Sequence, residues 1–273
     1  MLWIGTIITG LFSDAAQVLI PRATMAVKPE KTREIVGFLM SGLLVGLLLS
    51  TSLAGLLSDL FQWNVIYLVS AVMMLILAFM LKSRLPQVPL MKMSYFAIFK
   101  SMGSLIKAEP RLMYRALIGG CAFAAMSILF STIAVLLTSE PFKLPDVMVG
   151  VATLIGVFGA LSTTKIGRIA DRGYTLQLTW IGIAVLAISW VFLYYGGQSL
   201  ISYILGYGII NFGLATVHSS NQNIIFRLRP DAKSRINSIY MTTYFIGGAC
   251  GSAVGVYAWQ HGGWMMTCIA GIG

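Results

Sequence analysis

Charge is scarce in this sequence: only 10% of its 273 residues are Asp, Glu, Lys or Arg, against 58% hydrophobic. A soluble globule carries about 25% charged residues, so that class is excluded. Acidic residues are the scarcer sign, 9 against 19 basic ones. Only three cysteines and two histidines occur. Cys121, Cys250 and Cys268 lie in apolar segments without metal-type spacing, which predicts buried thiols and no metal site. HExxH, the GxxxxGK[ST] phosphate loop and GxSxG are lacking, and His218 and His261 are expected at different depths. Neither enzyme chemistry nor a cofactor is predicted. The opening apolar run lacks a basic n-region and leads into Asp14, unlike a cleaved signal peptide. A formal charge of +10 raises nucleic acid as a partner, but the basic residues are dispersed among short loops. No nucleic acid is expected.

What the chain has instead is long apolar runs. Nine can be drawn, at 2–26, 36–58, 64–81, 113–138, 147–164, 175–195, 199–226, 237–259 and 264–273. A helix needs roughly 20 residues to cross a bilayer, so the last, with ten, cannot cross. The prediction is an all-α membrane protein of eight spans plus a partial ninth. Six Trp and 11 Tyr suit two membrane interfaces. The connecting loops alternate in charge. Eighteen of the 19 basic residues fall on one side, Lys143 being the exception. By the positive-inside rule that side is cytoplasmic.

Two stretches share a pattern. Arg33 to Trp63 and Arg235 to Trp264 each open on a basic residue, run apolar with glycines and close on tryptophan. Both place a glycine thirteen residues after the arginine, at Gly46 and Gly248. Lys28-Pro29-Glu30 precedes the first copy and Arg229-Pro230-Asp231 the second. Related halves of this kind are typical of transporters. The first, second and third segments then match the seventh, eighth and ninth. The fourth to sixth have no partner, which reads as a chain lacking three helices before Met1 and most of one after Gly273. The rival expectation is a genuine eight-span protein with accidental similarity between segments. Within the basic loop 82–115, Tyr95, Phe99, Met102 and Ile106 recur at helical spacing among Lys92, Lys100 and Lys107. That pattern predicts a short helix lying on the inner leaflet.

Inside the spans, a few polar residues stand out. Asp14 is a carboxylate deep in a span, where an ionised group costs about 2.5–3.5 kcal/mol. It either exchanges protons or pairs with a basic residue on another helix. On the seventh segment Asn211, His218 and Gln222 fall within about 40° on a helical wheel. Such a stripe offers hydrogen bonds to a polar solute or to a neighbouring helix. Tyr240, Thr243 and Tyr244 on the eighth segment, with Ser127 and Ser131 on the fourth, are further cavity candidates. Gly42 and Gly46, and the stripe Gly247, Gly251 and Gly255, predict close helix packing.

The run Gly167-Arg168-Ile169-Ala170-Asp171-Arg172-Gly173 resembles the second-half cytoplasmic loop signature of the major facilitator superfamily. MSGLLVG at 40–46 and YMTTYFIGGACGSAVG at 240–255 resemble the arabinose-efflux-type permeases among its bacterial drug and sugar exporters. The resemblance covers nearly the whole chain. It implies an incomplete major-facilitator-type bundle holding helices 4 to 12 of a twelve-helix fold. Residues 1–81 would end the first six-helix half, 82–112 connect the halves and 113–273 form the second. It implies a secondary active transporter of a small organic solute, working by alternating access and proton-coupled efflux in a bacterial inner membrane, and a monomer when complete. Gly167, Asp171, Arg172 and Arg235 would form a conformational switch, the carboxylate sitting at a helix N-terminus. Otherwise the loop is a solvated turn. Leu47 follows Gly46 where antiporters of this superfamily carry a glycine-proline pair, which leaves import open. A non-transporting membrane protein fragment, either a decayed gene product or a partner of a full-length relative, is the remaining alternative. With half the cavity wall lacking, the polypeptide reconstituted alone is expected to give no saturable solute flux, as measured by uptake into vesicles.

Overall fold

The computed structural model describes residues 64–84, 95–156, 173–229 and 232–273, together with positions 5, 10, 46, 50, 53, 54, 56, 57, 60, 61, 166 and 169. Among the described residues there are seven helices and no strand: α1 (Val65–Arg84), α2 (Tyr95–Ala108), α3 (Pro110–Thr138), α4 (Asp146–Thr153), α5 (Thr175–Gly196), α6 (Leu200–Leu228) and α7 (Lys233–Ile272). Five of them, α1, α3, α5, α6 and α7, are long and apolar enough to cross a membrane. These correspond to the segments expected at 64–81, 113–138, 175–195, 199–226 and 237–259. The segments at 2–26 and 36–58, and most of 147–164, lie outside the described residues.

Local chemistry explains the ends. Proline occupies the start of α3, where its missing N–H is one of the helix's unpaired donors anyway. The span therefore begins at Pro110, three residues before the apolar pattern does, and Arg111 and Arg115 belong to the helix rather than to the loop expected over 82–115. Ser199 caps α6 by accepting from the Ser202 N–H. α7 is one helix with a break: Gly262 and Gly263 leave helical geometry, Gly263 at φ 60° and ψ −150°. That region is open essentially to glycine alone. Beyond the break, Trp264 donates its indole N–H to the Leu193 carbonyl at 2.8 Å, which ties the second arm to α5.

Two helix pairs make the body, α3 with α7 and α5 with α6, joined through contacts of α3 with α6. Backbones approach closely along both seams. A Cβ on Gly247 would strike the Gly120 backbone, one on Gly251 the Ala124 backbone, and one on Gly255 the Ile128 backbone and the Ser131 hydroxyl. Across the other seam, Gly182 meets Val217 and Gly206 meets Leu193. One apolar cluster, including Met126, Leu129, Trp190, Tyr203 and Ile210, fills the bundle. A second, including Leu112, Ile225, Ile236 and Tyr240, fills the end of the bundle against which α2 packs.

Two expectations need correction. Cys121 and Cys250 are exposed, and only Cys268 is buried. An apolar residue of a membrane helix has no need of the protein interior, because hydrocarbon serves it equally well. In α2, Met102 and Ile106 turn towards the bundle and flank buried Leu105, so half of the stripe meant for lipid packs on protein. Phe99, with Phe96, stays exposed. No described side chain of α1 is buried, and Leu75 and Phe79 face outward.

The α3–α7 seam makes a clear test. Overpacking a tight interface costs about 1–3 kcal/mol. Gly251→Leu should therefore lower the melting temperature of the detergent-solubilised protein, followed by size-exclusion after heating. Gly103→Ala, whose Cβ would meet nothing within 4 Å, should leave it unchanged.

Candidate functional site

Glycine on α3 decides where a buried tyrosine of α7 goes. A Cβ on Gly119 would stand 2.6 Å from the Tyr240 hydroxyl. Because none is there, the fully buried Tyr240 ring lies across the α3 backbone. Its hydroxyl reaches the Nδ1 of His218 on α6, and the two share a hydrogen bond of 3.1 Å. Aromatic rings wall this contact. The Tyr244 ring is centred 5.0 Å from that of His218 and stacks on Phe123 of α3 at 4.1 Å. Phe245 meets Phe123 edge-on at 6.1 Å.

A second polar group lies nearer the end of the bundle against which α2 packs. The half-buried Arg115 guanidinium donates through Nη1 to the Thr179 hydroxyl on α5 at 2.9 Å, and at the longer distance of 3.4 Å to Oδ1 of Asn221 on α6. The Thr179 hydroxyl in turn donates to the Thr175 carbonyl at 2.8 Å, so it accepts from the arginine with its own proton satisfied. The Asn221 side chain lies near Tyr240 without a hydrogen bond from its Nδ2. The two groups lie side by side, Arg115 with Thr179 and Asn221 in one and His218 with Tyr240 in the other, and together they form a polar cluster. It links all four helices of the body. Among the described residues, no carboxylate lies within ion-pair distance of Arg115. The buried Asn221 Nδ2 and Ser220 Oγ have no partner at hydrogen-bond distance among the described residues.

Of the residues singled out in the sequence, the structure brings His218, Tyr240 and Tyr244 together. Ser127 is buried on the α3 face beside Phe123 and Gly248. Asn211, Thr243 and Ser131 turn their polar groups to backbone carbonyls of their own helices, at Tyr207, Ile239 and Ile128. Gln222 is half-buried on α6. Arg235, half-buried in the first turn of α7, lines a small pocket with Arg229. Gly46 is helical, with nothing among the described residues within 4 Å of where its Cβ would be. Asp14, Gly42, Gly167, Asp171 and Arg172 lie outside the described residues.

Arg115, Thr179 and Asn221 are the site residues that sequence reasoning missed. A signal existed for Asn221. It lies four residues from Val217 on one side and four from Ile225 on the other, both fully buried, so helical spacing puts it on the core face. Arg115 sits between Leu112 and Ala116, both fully buried, and was obscured by counting it with loop charges. Among the described residues, no group of His, Cys, Asp and Glu could hold a metal ion.

The sequence model of the Major Facilitator Superfamily matches residues 1–252, which takes in α3, α5, α6 and the first half of α7. The chain belongs to the Major Facilitator Superfamily. It is 40% identical over 272 residues to the uncharacterized transporter YgaY of Escherichia coli O157:H7, a match covering 99% of this chain and 69% of the relative. It is 24% identical over 242 residues to the uncharacterized MFS-type transporter YybF of Bacillus subtilis, covering 88% of this chain and 59% of that one. A further uncharacterized transporter, from Buchnera aphidicola of Schizaphis graminum, is 22% identical over 265 residues, covering 94% and 63%. The protein is thus an integral membrane member of a transporter superfamily with bacterial relatives, and not an enzyme.

Within this superfamily member, the arginine clasp should be measurable as stability. Removing one partner of a buried polar contact costs about 1–3 kcal/mol, whereas removing both is milder. Arg115→Met and Asn221→Leu should each lower the melting temperature in detergent, and the double variant should lose less than the sum of the two.

Proposed function

We propose that the chain forms one side of a solute path in a proton-coupled secondary transporter, moving a small organic solute by alternating access. The observation carrying this reading is the polar and aromatic cluster inside four membrane-spanning helices, with His218 and Tyr240 at its centre. Polar groups at membrane depth are costly and are kept where a solute or ion passes. The solute class is small and neutral or polar: Tyr244, Phe123 and Ser127 would supply a flat aromatic wall with a hydroxyl, and Asn211, Gln222, Thr243 and Ser131 further contacts. His218 and Asp14 are the proposed proton-exchanging groups. Gly167, Asp171, Arg172 and Arg235 would form the switch that holds one conformer, in a carrier of the bacterial inner membrane whose halves join at 82–112. Outward transport is the proposed direction, on the resemblance of 240–255 to exporters.

The test replaces the matching 272-residue stretch of YgaY with this chain and reconstitutes the chimaera in vesicles loaded with a pH-sensitive dye. Challenged with a panel of small polar and aromatic solutes under a proton gradient, it should move protons saturably with a subset of them. Tyr240→Phe and His218→Gln should lower that flux about tenfold or more. Flux unchanged in both variants would remove the cluster from the mechanism. A folded chimaera silent across the panel would favour a non-transporting membrane protein.

A further inference from the structure

The break at Gly262 and Gly263 turns the chain back on itself, and Trp264 follows at once. Its ring takes the space that a Cβ on Gly197 would need, and its indole N–H is committed to the Leu193 carbonyl. Trp259 meets it edge-on at 6.4 Å, so Trp264 stands as a fixed wall beside the last turn of α5. Between wall and helix lies a cavity of about 480 Å³, lined by Tyr194, Tyr195, Gly197, Gln198, Trp264 and Met265. Small-molecule sites measure roughly 300–1,000 Å³. The cavity is at the end of the bundle away from α2, because α6 runs from here to Ile225 and Leu228, which pack with Leu105 of α2.

The lining indicates what would enter. The exposed rings of Tyr194 and Tyr195 stand at 83° with centroids 5.5 Å apart, and so form an aromatic corner. With Trp264 they supply three rings, whose faces carry negative charge density. Gln198 adds an amide oxygen and Met265 a polarizable sulfur, both of them acceptors. Rings and soft acceptors together complement a diffuse, weakly hydrated cation, which a ring face attracts within about 6 Å of its centroid. Anchoring at a membrane interface uses the same aromatic residues, but it needs no cavity among them. We propose that this pocket binds an organic ammonium group, enclosed by Tyr194, Tyr195 and Trp264. His218 lies eighteen residues along α6 from Leu200, about 27 Å at 1.5 Å per residue. The proposal therefore stands apart from the polar cluster and from whether the chain transports.

A soluble solute and a lipid head group can both carry that ammonium, and the experiment separates them. The full chain in dodecyl maltoside is titrated with choline, and saturation transfer from the protein to the choline N-methyl protons is read by NMR. Wild type should bind choline saturably, and about tenfold more tightly than 3,3-dimethylbutan-1-ol, the carbon isostere without the charge. Tyr195→Leu should weaken choline binding about tenfold, and Tyr194→Leu, at a second exposed position, should do the same. Tyr195→Phe keeps the ring face and should bind as wild type does. Tyr114→Leu, in the first turns of α3 and equally exposed, should change nothing. The absence of a saturable choline signal in wild type, or equal affinity for the neutral isostere, would overturn the proposal. So would equal losses in Tyr195→Phe and Tyr195→Leu, which would mark recognition by the hydroxyl instead of the ring. The titration is then repeated in nanodiscs. A choline signal lost with phosphatidylethanolamine but kept with phosphatidylglycerol assigns the pocket to a lipid head group, and one kept in both assigns it to a soluble cation.

Discussion

Hydrocarbon gives apolar side chains no reason to leave it, so helices in a membrane hold together by close backbone contact and by polar groups that find partners. Both seams of this bundle obey that constraint. Gly247 and Gly251 bring α7 down onto Gly120 and Ala124 of α3, and Gly182 and Gly206 do the same between α5 and α6. Absent side chains also create room elsewhere. The gap at Gly119 admits Tyr240, and the one at Gly271 admits Trp190. The same feature that packs the helices therefore delivers a phenol hydroxyl to His218. In this protein packing and site are one arrangement seen at two scales.

The polar cluster follows from what remains. A hydroxyl on a membrane helix can satisfy itself on its own backbone, as Thr243, Ser131 and Thr267 do. Such groups are silent. A group that instead reaches across a seam couples two helices, and Arg115, Asn221, Tyr240 and His218 do so. Helix–helix hydrogen bonds in membranes are worth only about 0.6 kcal/mol on average, so contacts of this kind can be exchanged at small cost. That is a property a moving transporter requires and a purely structural bundle does not.

Much of the fold was legible because the bilayer imposes a length on every span. The runs at 64–81, 113–138, 175–195, 199–226 and 237–259 each correspond to a helix, and the break at Gly262 and Gly263 falls in the gap between 237–259 and 264–273. Orientation of side chains around those helices was less legible. An apolar residue in a span carries no mark of whether lipid or protein will cover it, which is why Cys121 and Cys250 were misplaced. The site was half legible for a related reason. The wheel picked out His218 by its polar neighbours, whereas Asn221 was marked by buried apolar neighbours one turn away on each side. Arg115 escaped because a charge near a span's end looks the same whether it points to water or inward. Only the α5 and α6 acceptors, Thr179 and Asn221, distinguish the two, and they are 64 and 106 residues away in sequence.

Depth orders the polar residues in a way that chemistry requires. The cost of holding a full charge rises steeply towards the bilayer centre. Arg229 and Arg235 lie at the helix ends. Arg115, five residues into α3, is about 7 Å further in at 1.5 Å per residue, and its charge is met by two neutral acceptors. His218, ten residues inside the end of α6, is about 15 Å deep, and there the groups present are an imidazole and a phenol, which need not be charged. Inward from that end of the bundle, fixed positive charge comes first and neutral hydrogen-bonding rings later. Reversing that order, with arginine deep and histidine shallow, would bury a charge that no described carboxylate could compensate. The order of residue types along the helices is therefore a consequence of the membrane.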